Sequence, residues 1–454
     1  MIKGPLWSKT GNEHQDRDWF FDFTAKADRE LDQYLVPYDI LNNLAQARAL
    51  HKSGLISEVE RDQLLARLRE LWETWSHSTP VITDEDEDVH SAIERILTTD
   101  LGDIGKRIHT GRSRNDQVLC DMRMYLRSTL TDIGISVSHI ITRLQSIAEA
   151  KADVFFPGYT HTQPAMPNSV DAWCLGYVDL LLSDLESLQA AIEVQRWCPL
   201  GSAAGYGVPE LPIDREYLAS ILGFEGPQIA VTAAQLSRGA LELRAVDSLA
   251  YLALTLNRLA SDIIMFSNPD LGWVHLSEDQ TSGSSIMPQK RNPDVWELIR
   301  AHAHQFVGLS TQLFSLSSNL SSGYHRDLQL VKSIVVQAVE SMQSLLDVAN
   351  KALAGVHFDA DKARQRLSSA LFATHLANRM VAEGMPFRDA YKAAAEQYAS
   401  LKIPSQEEIS ASYKHTGSIA ERVSGKYEER VKSIKQWFEE SRKEWDAIAE
   451  QLKR

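Results

Sequence analysis

Along most of this chain the apolar residues recur at three-to-five-residue steps, the spacing of one face of an α-helix. From Asp28 to Leu71 the series Leu31, Leu35, Ile40, Leu44, Ala47 and Leu50, then Leu64, Leu65, Leu68 and Leu71, predicts two amphipathic helices packed as a hairpin about a turn at Ser53-Gly54. Another helix opens in the acidic run Glu85 to Glu94, whose carboxylates suit the positive end of a helix dipole better than they suit a metal. Val118 to Val154 reads as one long helix with Gly134 as a candidate break, capped by Asn115 or Asp116 and stopped at Pro157-Gly158. Helix resumes from Asn168 to Trp197, with Leu180, Leu181, Leu185, Leu188 and Ile192 on one face, then from Asp294 to Leu316, and again in a run ending near Ala354.

The stretch from Val231 to Phe266 says most about architecture. Between Ser248 and Met265 its only full charges are Arg258 and Asp262, on one stripe, while leucines and isoleucines cover the other directions, so it is expected to be buried on most sides. At ~1.5 Å per residue it would span roughly 50 Å, longer than a compact core requires. The chain is therefore expected to be mainly α and to contribute to a bundle shared with other copies of itself. A tail from about Phe358 turns at Gly384-Met385-Pro386 and ends in a charged helix whose Trp437, Phe438, Trp445 and Ile448 predict docking.

Composition narrows the class. The 454 residues are 44% hydrophobic and 24% charged, the balance of a soluble globular protein. A net charge of −14 repels nucleic acid and anionic lipid on average, so an anionic ligand must be captured by a local cationic pocket. Cys120, Cys174 and Cys198 are widely spaced among apolar neighbours and read as buried thiols of a reducing compartment, neither a disulfide framework nor a zinc site. The first 18 residues lack the apolar core of a secretory leader, and no uninterrupted apolar run is long enough to span a bilayer. The expectation is a cytoplasmic enzyme.

Candidate chemistry concentrates at Thr281 to Pro293. Gly283 frees the backbone and Pro288 and Pro293 deny it a continuous helix or central strand, so this is read as a loop. It carries Lys290 and Arg291 and no carboxylate. Hydroxyls of Ser282, Ser284 and Ser285, successive N–H groups, the Lys290 ammonium and the Asn292 amide are donors suited to a small carboxylate. An ordinary mobile basic loop has the same composition; the order of residues separates the two. Three further constellations are dense in polar groups: Thr110 to Gln117, where Arg112 and Arg114 offer planar forks for carboxylates; Gly158 to Ala165, with His161 in a loop between two helices; and Ser322 to Lys332. A glycine-rich loop at Gly201 to Gly207 matches no phosphate-binding pattern and is assigned to close packing and substrate contact.

Gly283-Ser284-Ser285-Ile286-Met287-Pro288-x-Lys290-x-Asn292-Pro293 resembles the signature loop of the fumarase and aspartase superfamily. That likeness implies β-elimination releasing fumarate, with Ser284 as the base. Thr110-Gly111-Arg112-Ser113-Arg114-Asn115-Asp116-Gln117, Gly158-Tyr159-Thr160-His161-Thr162-Gln163-Pro164-Ala165, and Tyr324 with Asp327-Leu328-Gln329 and Lys332 together resemble the argininosuccinate lyase family. The resemblance runs over most of the chain, including Pro386-Phe387-Arg388. It implies reversible cleavage of argininosuccinate to L-arginine and fumarate, a step of arginine biosynthesis, in a homotetramer whose sites combine residues of three subunits. It also implies a mostly helical N-terminal domain (1–114), a central long-helix bundle domain (115–357) and a small helical C-terminal domain (358–454).

Carried onto matching positions, the resemblance makes Ser284 the base, His161 the general acid, Glu297 the residue that orients His161, and Lys290 part of the catalytic set. Asn43, Asn115, Thr160, Tyr324, Gln329 and Lys332 fall at substrate-binding positions, and Arg114, Arg238, Lys290 and Asn292 at contacts to carboxylates. The front of the chain departs from the family pattern. Trp7-Ser8-Lys9-Thr10-Gly11 stands for Trp-Gly-Gly-Arg-Phe, Asn43 and Gln46 for Ser and His, and Leu236-Ser237-Arg238-Gly239 for Ser-Asp-Arg-Asp. Binding at Asn43 is expected to be altered rather than abolished.

The reaction sets physical demands. Taking a proton beside a carboxylate creates a dianion, and a single well-aimed donor stabilises such charge by about 3–4 kcal/mol. An alcohol is a poor base, and one cation at ~4 Å in an effective dielectric of about 20 supplies ~4 kcal/mol, near three pKa units, which is insufficient. Ser284 therefore needs several donors in a closed loop. The leaving guanidinium needs an acid, a role that suits a histidine. No metal or organic cofactor is demanded, because protons and one C–N bond move without redox change.

Overall fold

The computed structural model describes residues 18–76, 81–419, 421 and 424–454. The departure at Trp7 to Gly11 lies outside them. The helices that position the site are α1 (Asp18–Leu31), α2 (Val36–Lys52), α3 (Glu58–Ser76), α4 (Val89–Leu101), α5 (Arg114–Ala150), α6 (Val170–Glu193), α7 (Val231–Leu236), α8 (Ala240–Ser267), α9 (Asp294–Leu316), α10 (Val331–Ala354) and α11 (Ser424–Lys453). The mainly helical class is as expected. α2 and α3 form the predicted hairpin, and α5, α6, α8, α9 and α10 pack side by side as a bundle of long helices. α5 has 37 residues, ~55 Å at ~1.5 Å each.

Three elements differ from the sequence reading. Gly134 does not break α5, which runs unbroken through it. An added Cβ there would lie 2.2 Å from the Phe438 ring, so the glycine is a socket for α11, which packs along α5 and α6 with Phe438 fully buried. The expected helix over Val231 to Phe266 is instead two, α7 and α8, because Gly239 between them adopts φ +82° and its N–H is taken by the Glu242 carboxylate at 2.7 Å. Pro157-Gly158 lies within a strand. β1 (Phe155–Thr160) pairs antiparallel with β2 (Gln163–Ser169), and the ladder shifts register between Gly158 and Tyr159.

By length and composition Val231–Ser267 is apolar enough to cross a membrane, which qualifies the expectation that no such run exists. Half of its apolar window is buried within the protein, and α8 packs on α6, α9 and α10. Cys120, Cys174 and Cys198 are free and buried. A second, smaller core gathers Phe155, Leu367, Leu371, Phe372 and Ile409 beneath the β1–β2 hairpin.

Gly134→Ala forces the rigid Phe438 ring to shift and is expected to destabilise the protein by about 1–3 kcal/mol. Urea unfolding checks this, and an unchanged midpoint would remove the socket role.

Candidate active site

The N-terminus of α5 is built by a reciprocal cap. Ser113 accepts from the backbone near the helix start, and its own N–H donates to Asp116 Oδ1 at 2.9 Å. The cap is thus Ser113, not Asn115 or Asp116. Asp116 Oδ2 accepts N–H bonds from Gly201 at 3.1 Å and Ala203 at 2.8 Å, which ties the glycine-rich loop to this helix end. Asn115 is left half-buried beside it. Arg114 turns outward, with Nη1 2.7 Å from Glu87 Oε2 and 3.3 Å from Asp88 Oδ2.

One further cluster stands close by. Lys332, buried at the start of α10, donates to Asp28 at 3.0 Å and also to Asp32. Burial disfavours its charge, but the two carboxylates outweigh burial and raise its pKa. Asp32 also accepts from the N–H of Val89 at 3.1 Å, beside the Asp88 that meets Arg114. Gln329 donates to the Thr24 carbonyl at 2.6 Å. Arg238, in the break between α7 and α8, lies with its guanidinium carbon 4.7 Å from the centre of the Tyr324 ring. Its Nη1 is enclosed and has no hydrogen-bond partner, and burial lowers its pKa. A desolvated guanidinium with an unspent N–H favours an anionic partner. Through Asp28, Asp32 and Asp88 the side chains of Arg238, Lys332 and Arg114 belong to one connected group of charges. Asp28 and Asp32, four residues apart at the end of α1 and just beyond it, were missed by the sequence reading; their helical spacing was the available signal.

His161 and Thr160 are carried on the β1–β2 hairpin, not in a loop between helices. Thr160 pairs with Gln163, so the turn consists of His161 and Thr162, at φ 53° and 61°. Two left-handed residues in a two-residue turn match the twist of a hairpin, but the position favours Asn-Gly, and a β-branched Thr there is strained by about 1–3 kcal/mol. Such strain persists where the surroundings enforce it. Phe156 and Tyr159 stack on Trp273 with ring centres 5.7 and 6.1 Å away, which anchors the hairpin while its tip stays exposed.

The Thr281 to Pro293 loop is pinned at its root. Gln280 accepts from Trp296 Nε1 at 2.9 Å and donates to the Ala352 carbonyl at 2.8 Å, both within the core. Ser282–Gly283 (β3) and Arg291–Asn292 (β4) close it as a short antiparallel ladder, a pairing the prolines had hidden. At its bend Ser284 Oγ accepts from the N–H groups of Met287 at 3.1 Å and Ile286 at 3.3 Å. These are donors of the kind that lower the cost of negative charge on a serine oxygen. Lys290 is exposed, and Asn292 lies 3.5 Å from Ser282 Oγ. Glu297, exposed in the first turn of α9, is 3.9 Å from Arg300. Glu297 N–H donates to the Pro293 carbonyl at the end of the loop at 3.0 Å, but among the described residues of one chain no side-chain hydrogen bond or ion pair joins His161, the Ser284 loop or Glu297 to one another or to the Arg238–Lys332 region.

Beneath the α5 cap is a buried charge cluster. His90 Nδ1 is 2.9 Å from Asp39 Oδ1 and 3.8 Å from Asp121 Oδ2. Burial alone would lower the imidazole pKa, but the Asp39 charge, then Asp88 and Asp121, push it up to about 9. Burial, reinforced by Asp39, holds Asp121 well above the ordinary carboxylate range. Ligating atoms of the three lie within 4.8 Å of one another, the span of a cation site. A protonated imidazole already supplies the positive charge there, so the donor set is self-neutralised. His109, by contrast, is pushed down to about 4 by burial and by Arg112. Asn43 sits in this cluster, buried and bonded to Asp39 and Arg112.

A family model described as "Lyase" matches residues 18–308. The chain is 38% identical to an argininosuccinate lyase of Phocaeicola vulgatus over 435 residues, 95% of this chain and 96% of that one. It is 40% identical to that of Parabacteroides distasonis, covering 91% and 92% of the two chains, and 37% identical to that of Thermotoga neapolitana, covering 87% and 99%. Among solved structures it resembles an EDDS lyase in complex with formate (TM-score 0.80, 19% identity, 96% and 93% covered). A class II fumarase from Schistosoma mansoni is similar as well (TM-score 0.69, 18% identity, 88% and 90% covered). At those identities the structures share the fold.

His90 gives a stability prediction with a definite sign. Its folded pKa of about 9 exceeds the ordinary 6.5, so its contribution is fully present below about pH 6.5 and is lost as pH rises through about 9. The loss is up to about 3 kcal/mol. Urea unfolding from pH 6 to 10 should show this decline in the wild type and a shallower one in His90→Asn; parallel declines would mean that His90 is not charged in the fold.

Proposed function

The chain belongs to the argininosuccinate lyase family, and we propose that it cleaves argininosuccinate to L-arginine and fumarate by β-elimination, with Ser284 as base and His161 as acid. The observation that carries this is the 38% identity maintained over 95% of the chain, together with the intact Gly283 to Pro293 motif. In this reading the succinyl carboxylates are met by Arg114, Arg238, Lys290 and Asn292, while Asn115, Thr160, Tyr324, Gln329 and Lys332 hold the rest of the substrate. The unbonded N–H of Arg238 supports an anion there, because a buried guanidinium gains most from a carboxylate that replaces lost water.

Ser284 removes the proton next to the carboxylate. The two N–H groups on its oxygen and the nearby Lys290 reduce the cost of the alkoxide, and closure of the loop removes competing water. His161 delivers a proton to the departing guanidino nitrogen, so that arginine leaves as a cation. Glu297 orients that imidazole. Protons and one C–N bond account for the whole change, and no cofactor enters.

The exposed positions of the hairpin tip and the Ser284 loop are reconciled by assembly. We place their partners on neighbouring copies, in a homotetramer with sites built from three subunits. Tyr251 and Leu254 on α8 and Leu298, Val307 and Phe314 on α9 support this, because these large apolar side chains are 52–64% exposed on the long helices. The compartment proposed is the cytoplasm.

Fumarate absorbance with purified protein and argininosuccinate tests the reading. Ser284→Ala is expected to lower turnover by about 10³-fold or more with the fold intact, and His161→Asn by about 10²–10⁴-fold. Near-normal turnover of Ser284→Ala would remove it as the base. Coexpressing the two inactive variants should restore part of the activity, because some mixed sites then receive both intact residues; no recovery in assembled mixed tetramers would place both residues on one chain.

A further inference from the structure

We propose that Asn43 and Gln46 are positioning residues, Asn43 acting through Arg112 and Gln46 through the Thr110 backbone, that fix the Thr110 to Asn115 segment against the substrate, an inference that rests on the lyase activity proposed above. Asn43 is only 2% exposed, and both ends of its amide are engaged within the protein. Nδ2 donates to the Asp39 carbonyl at 2.7 Å and to Asp39 Oδ2 at 3.1 Å, while Oδ1 accepts from Arg112 Nη2 at 2.6 Å. Arg112 Nη2 also donates to the Ile108 carbonyl at 2.8 Å, and Nη1 lies 3.4 Å from Asn42 Oδ1. Asn42 in turn donates to Asp121 Oδ1 at 2.9 Å. Gln46, one turn along α2, donates to the Thr110 carbonyl at 2.8 Å.

The chemistry of this row is specific. Every acceptor directly bonded to the Arg112 guanidinium is a neutral carbonyl. The titratable groups around it stand one step back: Asp39 on α2, Glu94 on α4, His109 in the turn before Arg112, and Asp116 and Asp121 on α5. Asn43 is therefore a relay, giving N–H to Asp39 and offering C=O to Arg112 at once. Arg112 is held inward, and Arg114, two residues on, is left to pair with Glu87 and Asp88. Because α2 grips the segment at Thr110 and at Arg112, it fixes the register with which Arg114 and Asn115 enter α5. Serine at position 43 can donate and accept at once but its hydroxyl is one bond shorter and reaches the two partners less well; alanine fills neither role.

Steady-state kinetics of fumarate release provides the test, with the wild type measured first, since absence of wild-type turnover would sink the lyase reading and not this one. Asn43→Ala is expected to raise KM about tenfold while kcat stays within about threefold, because the lost interaction orders groups that bind substrate and transition state alike. Asn43→Ser should recover part of the loss, and Gln46→Met, which keeps volume and removes one hydrogen bond, should raise KM about threefold. In an Arg112→Met background Asn43→Ala should add nothing further. An unchanged KM in either Asn43→Ala or Gln46→Met, or an Asn43→Ala effect of full size in the Arg112→Met background, would overturn the proposal. Should Asn43→Ala fail to fold, Asn43→Ser and Gln46→Met decide by the same KM and double-variant measurements.

Discussion

Asp116 divides its carboxylate between two tasks, and the candidate site hangs on that division. One oxygen closes the cap of the longest helix on Ser113; the other gathers the N–H groups of Gly201 and Ala203. Burial raises its pKa while these backbone donors, joined by Arg112, oppose the rise. Helix start and glycine-rich loop are thereby tied together by a single side chain. Without it, one helix end and one loop would each carry unsatisfied backbone groups.

The same region is dense in paired charge. Most of its cations are already matched: Lys332 by Asp28 and Asp32, Arg114 by Glu87 and Asp88, and the His90 imidazolium by Asp39. Matching keeps them ordered, at the cost of attraction for an anionic ligand. Arg238 is backed by the face of Tyr324 with one enclosed N–H left without a partner, and Arg112 likewise keeps an unpartnered Nε. In the proposed reading a ligand carboxylate that reaches Arg238 gains more than one that meets only the paired cations.

How much of this could be read from the residues depends on how local the cause is. Helices over Val36–Lys52, Arg114–Ala150, Asp294–Leu316 and Val331–Ala354 are legible because their apolar period is local. The β1–β2 hairpin is not, since Pro157, Gly158, Pro164 and Pro167 read as breakers, yet an isolated two-stranded ribbon has edges on which proline costs no ladder bond. The division between α7 and α8 is hidden because apolar spacing continues across Gly239, whose positive φ is decided by its contact with Glu242. At the site, the motif residues were legible as a set, whereas the inward turn of Asn43 and the clasp of Lys332 by Asp28 and Asp32 depend on packing between helices hundreds of residues or tens of residues apart. Spacing along a chain does not encode such contacts.

Phe438 in the hollow left by Gly134 has a consequence for biogenesis. The socket lies midway along α5, the first bundle helix to leave the ribosome, and its plug lies far downstream in α11. Roughly three hundred residues separate the two along the chain, so this part of the bundle surface stays bare until α11 has been made. A product cut short before α11 would leave an apolar trough along α5 and α6 uncovered.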